Sequence, residues 1–207
     1  MTTRLLPRAV FLLATTAAMA QSADLSPEAR TSAARMAVGT CGGCHGAQGA
    51  SIVPKFPNLA AQPANYLAAQ LKAFRSRSRG DPDALAFMWG MAASLDDSQI
   101  DALAQYYSAK RAPTGSSGDD AALRARGKSL YEHGLASGNV PPCGACHGSS
   151  GEGKEEFPRL AGQHAQYFMN QMRSFKSNSR RADLMRLFAS ALNTSELEAL
   201  AAYIQSM

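Results

Sequence analysis

The sequence predicts an all-α protein made of two tandem copies of one small helical unit, and three observations carry that reading. A heptapeptide recurs: Phe56-Pro57-Asn58-Leu59-Ala60-Ala61-Gln62 returns 101 residues later as Phe157-Pro158-Arg159-Leu160-Ala161-Gly162-Gln163. Apolar residues recur three and four positions apart, the spacing of one helix face, and no stretch shows sustained strand alternation. The length, 207 residues, accommodates two domains of roughly 100 residues each.

The elements follow in chain order. Residues 1–20 read as a secretory signal, with Arg4 and Arg8 at the start, an apolar stretch from Ala9 to Ala17, and Ala18-Met19-Ala20 as a small-residue cleavage site. That stretch is too short, and too rich in Ala and Thr, for a membrane-spanning helix. Cleavage after Ala20 would leave a periplasmic protein with no integral membrane span. A first domain is expected over 21–111. In it Ser26-Pro27-Glu28 opens a helix toward Thr40, with proline at the first helical position. A second helix over Ala64 to Ser76 aligns Tyr66, Leu67, Leu71 and Phe74, and Asp96-Asp97 opens a last one carrying Ile100, Leu103, Tyr106 and Tyr107. Residues 112–118, Ala-Pro-Thr-Gly-Ser-Ser-Gly, have the composition of a linker. The second domain, 119–207, repeats the pattern through Ala121–His133, His164–Lys176 and Ser195–Gln205.

Side chains outside the heptapeptide repeat as well. Tyr66, Gln70, Phe74, Arg75 and Arg79 correspond to Tyr167, Gln171, Phe175, Lys176 and Arg180. About 90 residues with few large apolar side chains make a thin core, so each unit needs something further to fill it.

Composition narrows the function. At 45% hydrophobic and 18% charged residues the chain is not disordered. The net charge of +5 falls to +3 once Arg4 and Arg8 leave with the signal, which argues against a nucleic-acid binder.

The four cysteines carry the chemistry. Cys41-Gly42-Gly43-Cys44-His45 and Cys143-Gly144-Ala145-Cys146-His147 are both C-x-x-C-H. Two thiols one helical turn apart can each add to a haem vinyl group, and the next histidine reaches the iron. Small residues between the cysteines let the macrocycle approach the backbone. A thioredoxin-like dithiol would call for strands that are missing from this pattern. Zinc would require both pairs to converge on one ion, and simple disulfides would leave the repeated histidine unexplained. Two covalently attached haem c groups are therefore expected, in an oxidising compartment where paired cysteines need such a reason.

A low-spin haem needs a sixth ligand, commonly methionine or a second histidine. Met88 lies seven residues before Leu95, and Met185 seven before Leu192. Met91 aligns with Phe188, Met36 has no partner sulfur, and Met169 and Met172 align with Ala68 and Leu71 as core fillers on a helix face. His133 and His164 also lack counterparts and read as surface or capping residues. Met88 and Met185 are the candidate distal ligands.

In the order C-x-x-C-H, F-P-x-L-A-x-Q, distal methionine and terminal helix, residues 24–207 resemble the cytochrome c4 family of dihaem cytochromes. The resemblance implies two tandem class I cytochrome c domains, with thioethers at Cys41, Cys44, Cys143 and Cys146. It implies axial pairs His45/Met88 and His147/Met185. Pro57 and Pro158 match the proline whose carbonyl accepts the proximal histidine's second N–H in such proteins; they could equally just shape the loop. The basic residues after the middle helix, among them Arg79 and Arg180, are expected to face solvent or haem propionates, a few of them a docking partner.

The function expected is one-electron transfer in a respiratory chain, with redox proteins as partners and no small-molecule substrate. The family resemblance implies a membrane quinol-oxidising complex or a dehydrogenase as donor and a terminal oxidase as acceptor. Two alternatives are an electron-accepting subunit of a dehydrogenase, such as a flavocytochrome c sulfide dehydrogenase, and a dihaem peroxidase. Trp89 follows Met88 where Arg186 follows Met185, so the two irons are expected to differ in potential.

Overall fold

A computed structural model describes residues 25–118 and 120–207. The export signal expected over 1–20 lies outside the described residues. The N-terminal unit contains α1 (Pro27–Met36), a π-helical turn (Ala37–Cys41), α2 (Gly42–His45), α3 (Ala64–Arg75), a second π-helical turn (Ala84–Met88), α4 (Trp89–Ala92) and α5 (Asp97–Ser108). The C-terminal unit contains α6 (Ala121–His133), α7 (Gly144–His147), α8 (Ala165–Lys176), α9 (Asp183–Ala191) and α10 (Thr194–Ser206). Among the described residues there is no strand, only an isolated bridge between Lys154 and Phe157.

Local chemistry explains the helix starts. The Ser26 hydroxyl accepts from Ala29 N–H at 3.2 Å, with Pro27 behind it. Asp96 and Asn193 occupy corresponding positions, and each closes a capping box with the residue three positions on, Gln99 and Glu196. The last helix therefore starts at Thr194, one residue before the sequence reading placed it. The one-turn helices α2 and α7 were not foreseen. They are too short for a periodic signal, and each ends on its C-x-x-C-H histidine.

The two units have separate cores. Leu67, Phe74, Ile100, Leu103 and Tyr107 lead the first, and Tyr131, Phe168, Phe175, Leu197, Leu200 and Ile204 the second. In each, the first helix crosses the last: α1 on α5, α6 on α10. Gly127 lies at the second crossing, where an added Cβ would fall on the Ala199 carbonyl. Gly127→Ala is expected to wedge α6 from α10 and cost about 1–3 kcal/mol, read as a lower unfolding midpoint.

The copies differ most before the distal methionine. Both middle helices end in the same turn, with Arg77 and Asn178 at φ 59° and 61° and the flanking serines paired at 3.0 Å. That turn directs Arg79 and Arg180 inward, and both are buried. Past it the chain enters a helix at Pro82 in the first copy, one turn earlier relative to the methionine than α9 at Asp183. Residues 82–88 are thus helical where 183–185 are in the second copy, so the four extra residues lengthen the helix, and Gly80 and Asp81 stay outside it. The Asp81 carboxylate caps it by accepting from Ala84 N–H at 3.3 Å.

Candidate haem sites

Each C-x-x-C-H segment ends on a buried imidazole, His45 at 7% and His147 at 8% exposure. The Nδ1 of His45 lies 2.9 Å from the Pro57 carbonyl, and that of His147 lies 2.9 Å from the Pro158 carbonyl. A carbonyl only accepts, so Nδ1 carries the proton and Nε2 keeps its lone pair. Burial lowers both imidazole pKa values, outweighing the proline bonds that raise them, and so favours the neutral, ligating form. The carbonyl role left open for the two prolines is the one observed.

No cysteine is disulfide-bonded; Cys41 and Cys143 are half-buried, Cys44 and Cys146 exposed. Burial pushes the Cys143 thiol up to about 11 and raises Cys41 as well. A redox dithiol needs the opposite shift. Among the described residues no three His, Cys, Asp or Glu side chains gather to hold a metal ion, which removes the shared zinc site.

The histidines and thiols open onto one cavity of about 1030 Å³ that runs through both units. Met88 and Met185 line it, and each also packs against its own core. Its walls are mainly apolar, with Leu67, Leu71 and Phe74 on one side and Phe168, Met172 and Phe175 on the other. Met36 and Met91 border it too.

At the domain boundary the cavity is lined by Arg79, Arg180, Tyr66, Tyr167, Gln70 and Gln171. Arg79 donates to Gln70 (2.7 Å), Gln171 (2.8 Å), Tyr167 (3.3 Å) and Asp81 (2.7 Å). Arg180 mirrors it, donating to Gln171 (2.8 Å), Gln70 (3.2 Å) and Tyr66 (2.8 Å). Two buried guanidiniums thus share a cavity wall where Asp81 is the carboxylate bonded to one of them, leaving a positive surplus. These two arginines do not face solvent as a helix-end cation would. Repetition in both copies, with no lysine exchange, was the signal that set them apart.

A second set of contacts joins the copies reciprocally. Gln163 accepts from Asn58 N–H (2.9 Å) and donates to Asn58 O (3.0 Å), while Gln62 accepts from Arg159 N–H (3.0 Å) and donates to Arg159 O (2.8 Å). His164 holds the N-cap position of α8, as a capping residue would, but its side chain does not cap: its Nε2 donates to Ser51 O across the boundary at 2.9 Å. His133 stays exposed on its own helix, bonded to Ser129 O.

The donor set, the thiol state and the apolar cavity fit covalent haem, and the comparisons with known proteins decide the family. The family model described as cytochrome c matches twice, over residues 31–108 and 124–207. The structure of Acidithiobacillus ferrooxidans cytochrome c4 superposes with a TM-score of 0.76 at 38% identity, covering 81% of this chain and 98% of that one. The chain belongs to the cytochrome c4 family. Cytochrome c-552 of Acidithiobacillus ferridurans is 38% identical over 81% of this chain and 73% of that protein. A thiosulfate dehydrogenase electron acceptor of Stutzerimonas stutzeri is 36% identical over 91% of this chain and 88% of that protein. As a cytochrome c4 the chain is an electron-transfer protein with two covalent haem c groups and two tandem all-α cytochrome c domains.

Proposed function

We propose that this cytochrome works outside the cytoplasm, with His45 and Met88 as axial ligands of the N-terminal haem iron and His147 and Met185 of the C-terminal one. Its domains would be 21–111 and 119–207, with cleavage after Ala20. Electrons would arrive from a membrane quinol-oxidising complex or a dehydrogenase and leave toward a terminal oxidase. The observation that carries the ligand assignment is the pair of buried histidines, each with Nδ1 engaged by a proline carbonyl and both on a cavity that Met88 and Met185 line; Met36 and Met172 line it too, but neither has a methionine counterpart in the other copy. No helix among the described residues is long and apolar enough to cross a membrane.

When bound, the haem would supply a one-electron couple, its iron held by His45 and Met88 or by His147 and Met185. The chain supplies everything else. Pro57 and Pro158 fix the imidazole rings, the apolar walls exclude water, and Cys41, Cys44, Cys143 and Cys146 tether the cofactor. Arg79 and Arg180 would neutralise its carboxylates at the domain boundary.

A second reading has support in the relative named as a thiosulfate dehydrogenase electron acceptor. There the donor is a dehydrogenase, and the chain is its acceptor rather than a free shuttle. Purification with or without a bound dehydrogenase separates the two readings.

The ligand assignment is tested on the exported protein by haem staining, N-terminal sequencing and the ferric spectrum. Two covalent haems and the far-red methionine–iron charge-transfer band are expected, and Met88→Leu or Met185→Leu should each remove about half of that band. A full-strength band in either variant would reject that methionine.

A further inference from the structure

We infer that Gln62 and Gln163 are positioning residues, each tuning the proximal histidine of the opposite domain through a single peptide group. The inference rests on the assignment of His45 and His147 as haem ligands. The peptide between Pro57 and Asn58 makes two bonds in opposite directions. Its carbonyl accepts from His45 Nδ1 at 2.9 Å, and its N–H donates to Gln163 Oε1, in the other domain, at 2.9 Å. The peptide between Pro158 and Arg159 does the same, accepting from His147 at 2.9 Å and donating to Gln62 at 3.0 Å. Gln62 and Gln163 are each 5% exposed and Asn58 6%, so the Gln163 bond is buried at both ends and the Gln62 bond at one, Arg159 being half-buried.

Hydrogen bonds in series through one amide polarise each other, and more so in a low-dielectric interior. An acceptor on the N–H makes the same peptide's carbonyl a better acceptor for the histidine. A stronger bond at Nδ1 makes the imidazole more basic toward iron, which favours the ferric state. Each amide side chain also grips the carbonyl of the following residue, Asn58 O at 3.0 Å and Arg159 O at 2.8 Å, which holds the peptide in place. The domain boundary is therefore wired to both irons in a crossed sense.

The test is the midpoint potential of each haem, resolved by NMR in the intact dihaem protein, with the His Nδ1–H resonances as a second readout. Gln163→Leu, a change in the C-terminal domain, is expected to raise the potential of the N-terminal haem, shift the His45 resonance and leave the C-terminal haem in place. Gln62→Leu should do the mirror image. Gln163→Glu keeps an acceptor for Asn58 N–H and makes it anionic, so the N-terminal potential should fall below that of the unaltered protein. Should a leucine variant fail to accumulate, the glutamate variants Gln163→Glu and Gln62→Glu carry the same crossed expectation with opposite sign. A shift confined to the mutated domain, equal shifts in both haems, or no shift would each overturn the inference. Absence of haem-shifted His45 and His147 ring resonances in the unaltered protein would instead indict the ligand assignment.

Discussion

Cys143→Ser/Cys146→Ser is expected to leave one covalent haem per chain and a C-terminal domain that no longer folds cooperatively. The cavity that the cofactor fills lies between the helices rather than on top of them. Phe168, Met172, Phe175 and Leu192 belong to the core and line that cavity at the same time. An apolar space of this size, opened to water, exposes those side chains and forfeits their packing. Leu200 and Ile204 of α10 line the same cavity, so the loss reaches the crossing of α6 and α10 as well. The loss should spread to the first domain, since Gln163 and His164 would release Asn58 and Ser51. Haem staining with quantified haem per chain, together with thermal unfolding followed by circular dichroism, measures both effects. Two haems per chain, or a helical signal that melts as in the unaltered protein, would count against the account.

Arg79→Ala should be the most damaging change at the domain boundary, at about 3–5 kcal/mol, because it strands a buried charge. Asp81 is 1% exposed, and Arg79 Nε is its ion-pair partner at 2.7 Å. Burial alone would raise the Asp81 carboxyl; the Arg79 guanidinium outweighs it and holds the group below the usual carboxylate range. A depressed folded-state value fixes the sign of the pH dependence. This stability is present above the unfolded value of about 3.9 and is lost as pH falls through the lower, folded one. Asp81→Asn should flatten the acid limb of the stability curve, and Arg79→Met/Asp81→Leu should recover much of the single-variant loss. Denaturant titrations of the haem-loaded protein between neutral and acid pH decide this. A single Arg79→Ala variant as stable as its parent would contradict the burial argument.

Most of the fold could be read from the chain because its signals are local. Capping residues at Ser26 and Asp96 act on N–H groups within three residues, and the stripe on α3 needs only helical spacing. What escaped was either too short to be periodic or depended on chain length around a fixed point. The one-turn helices α2 and α7 are of the first kind. The π turn ending at Met88 is of the second: the four extra residues of the first copy were absorbed into the helix that starts at Pro82, with Asp81 capping it.

The cofactor and its number were legible in the chain, since C-x-x-C-H is a covalent requirement met within five residues and written twice. It also determined the tandem all-α architecture, through repeats whose spacing survives only small length changes. The fate of the polar residues shared by both copies was set by how the two domains pack. Arg79 and Arg180 read as cations facing solvent or haem propionates, and Gln62 and Gln163 as the ends of a repeated heptapeptide, until the two domains met. Each then took partners about 100 residues away, Arg79 on Gln171 and Gln163 on Asn58. A hydrogen bond formed at such separation leaves no periodicity and no local spacing behind. Its trace in the chain is repetition alone, and repetition shows that a residue is needed without showing what it touches.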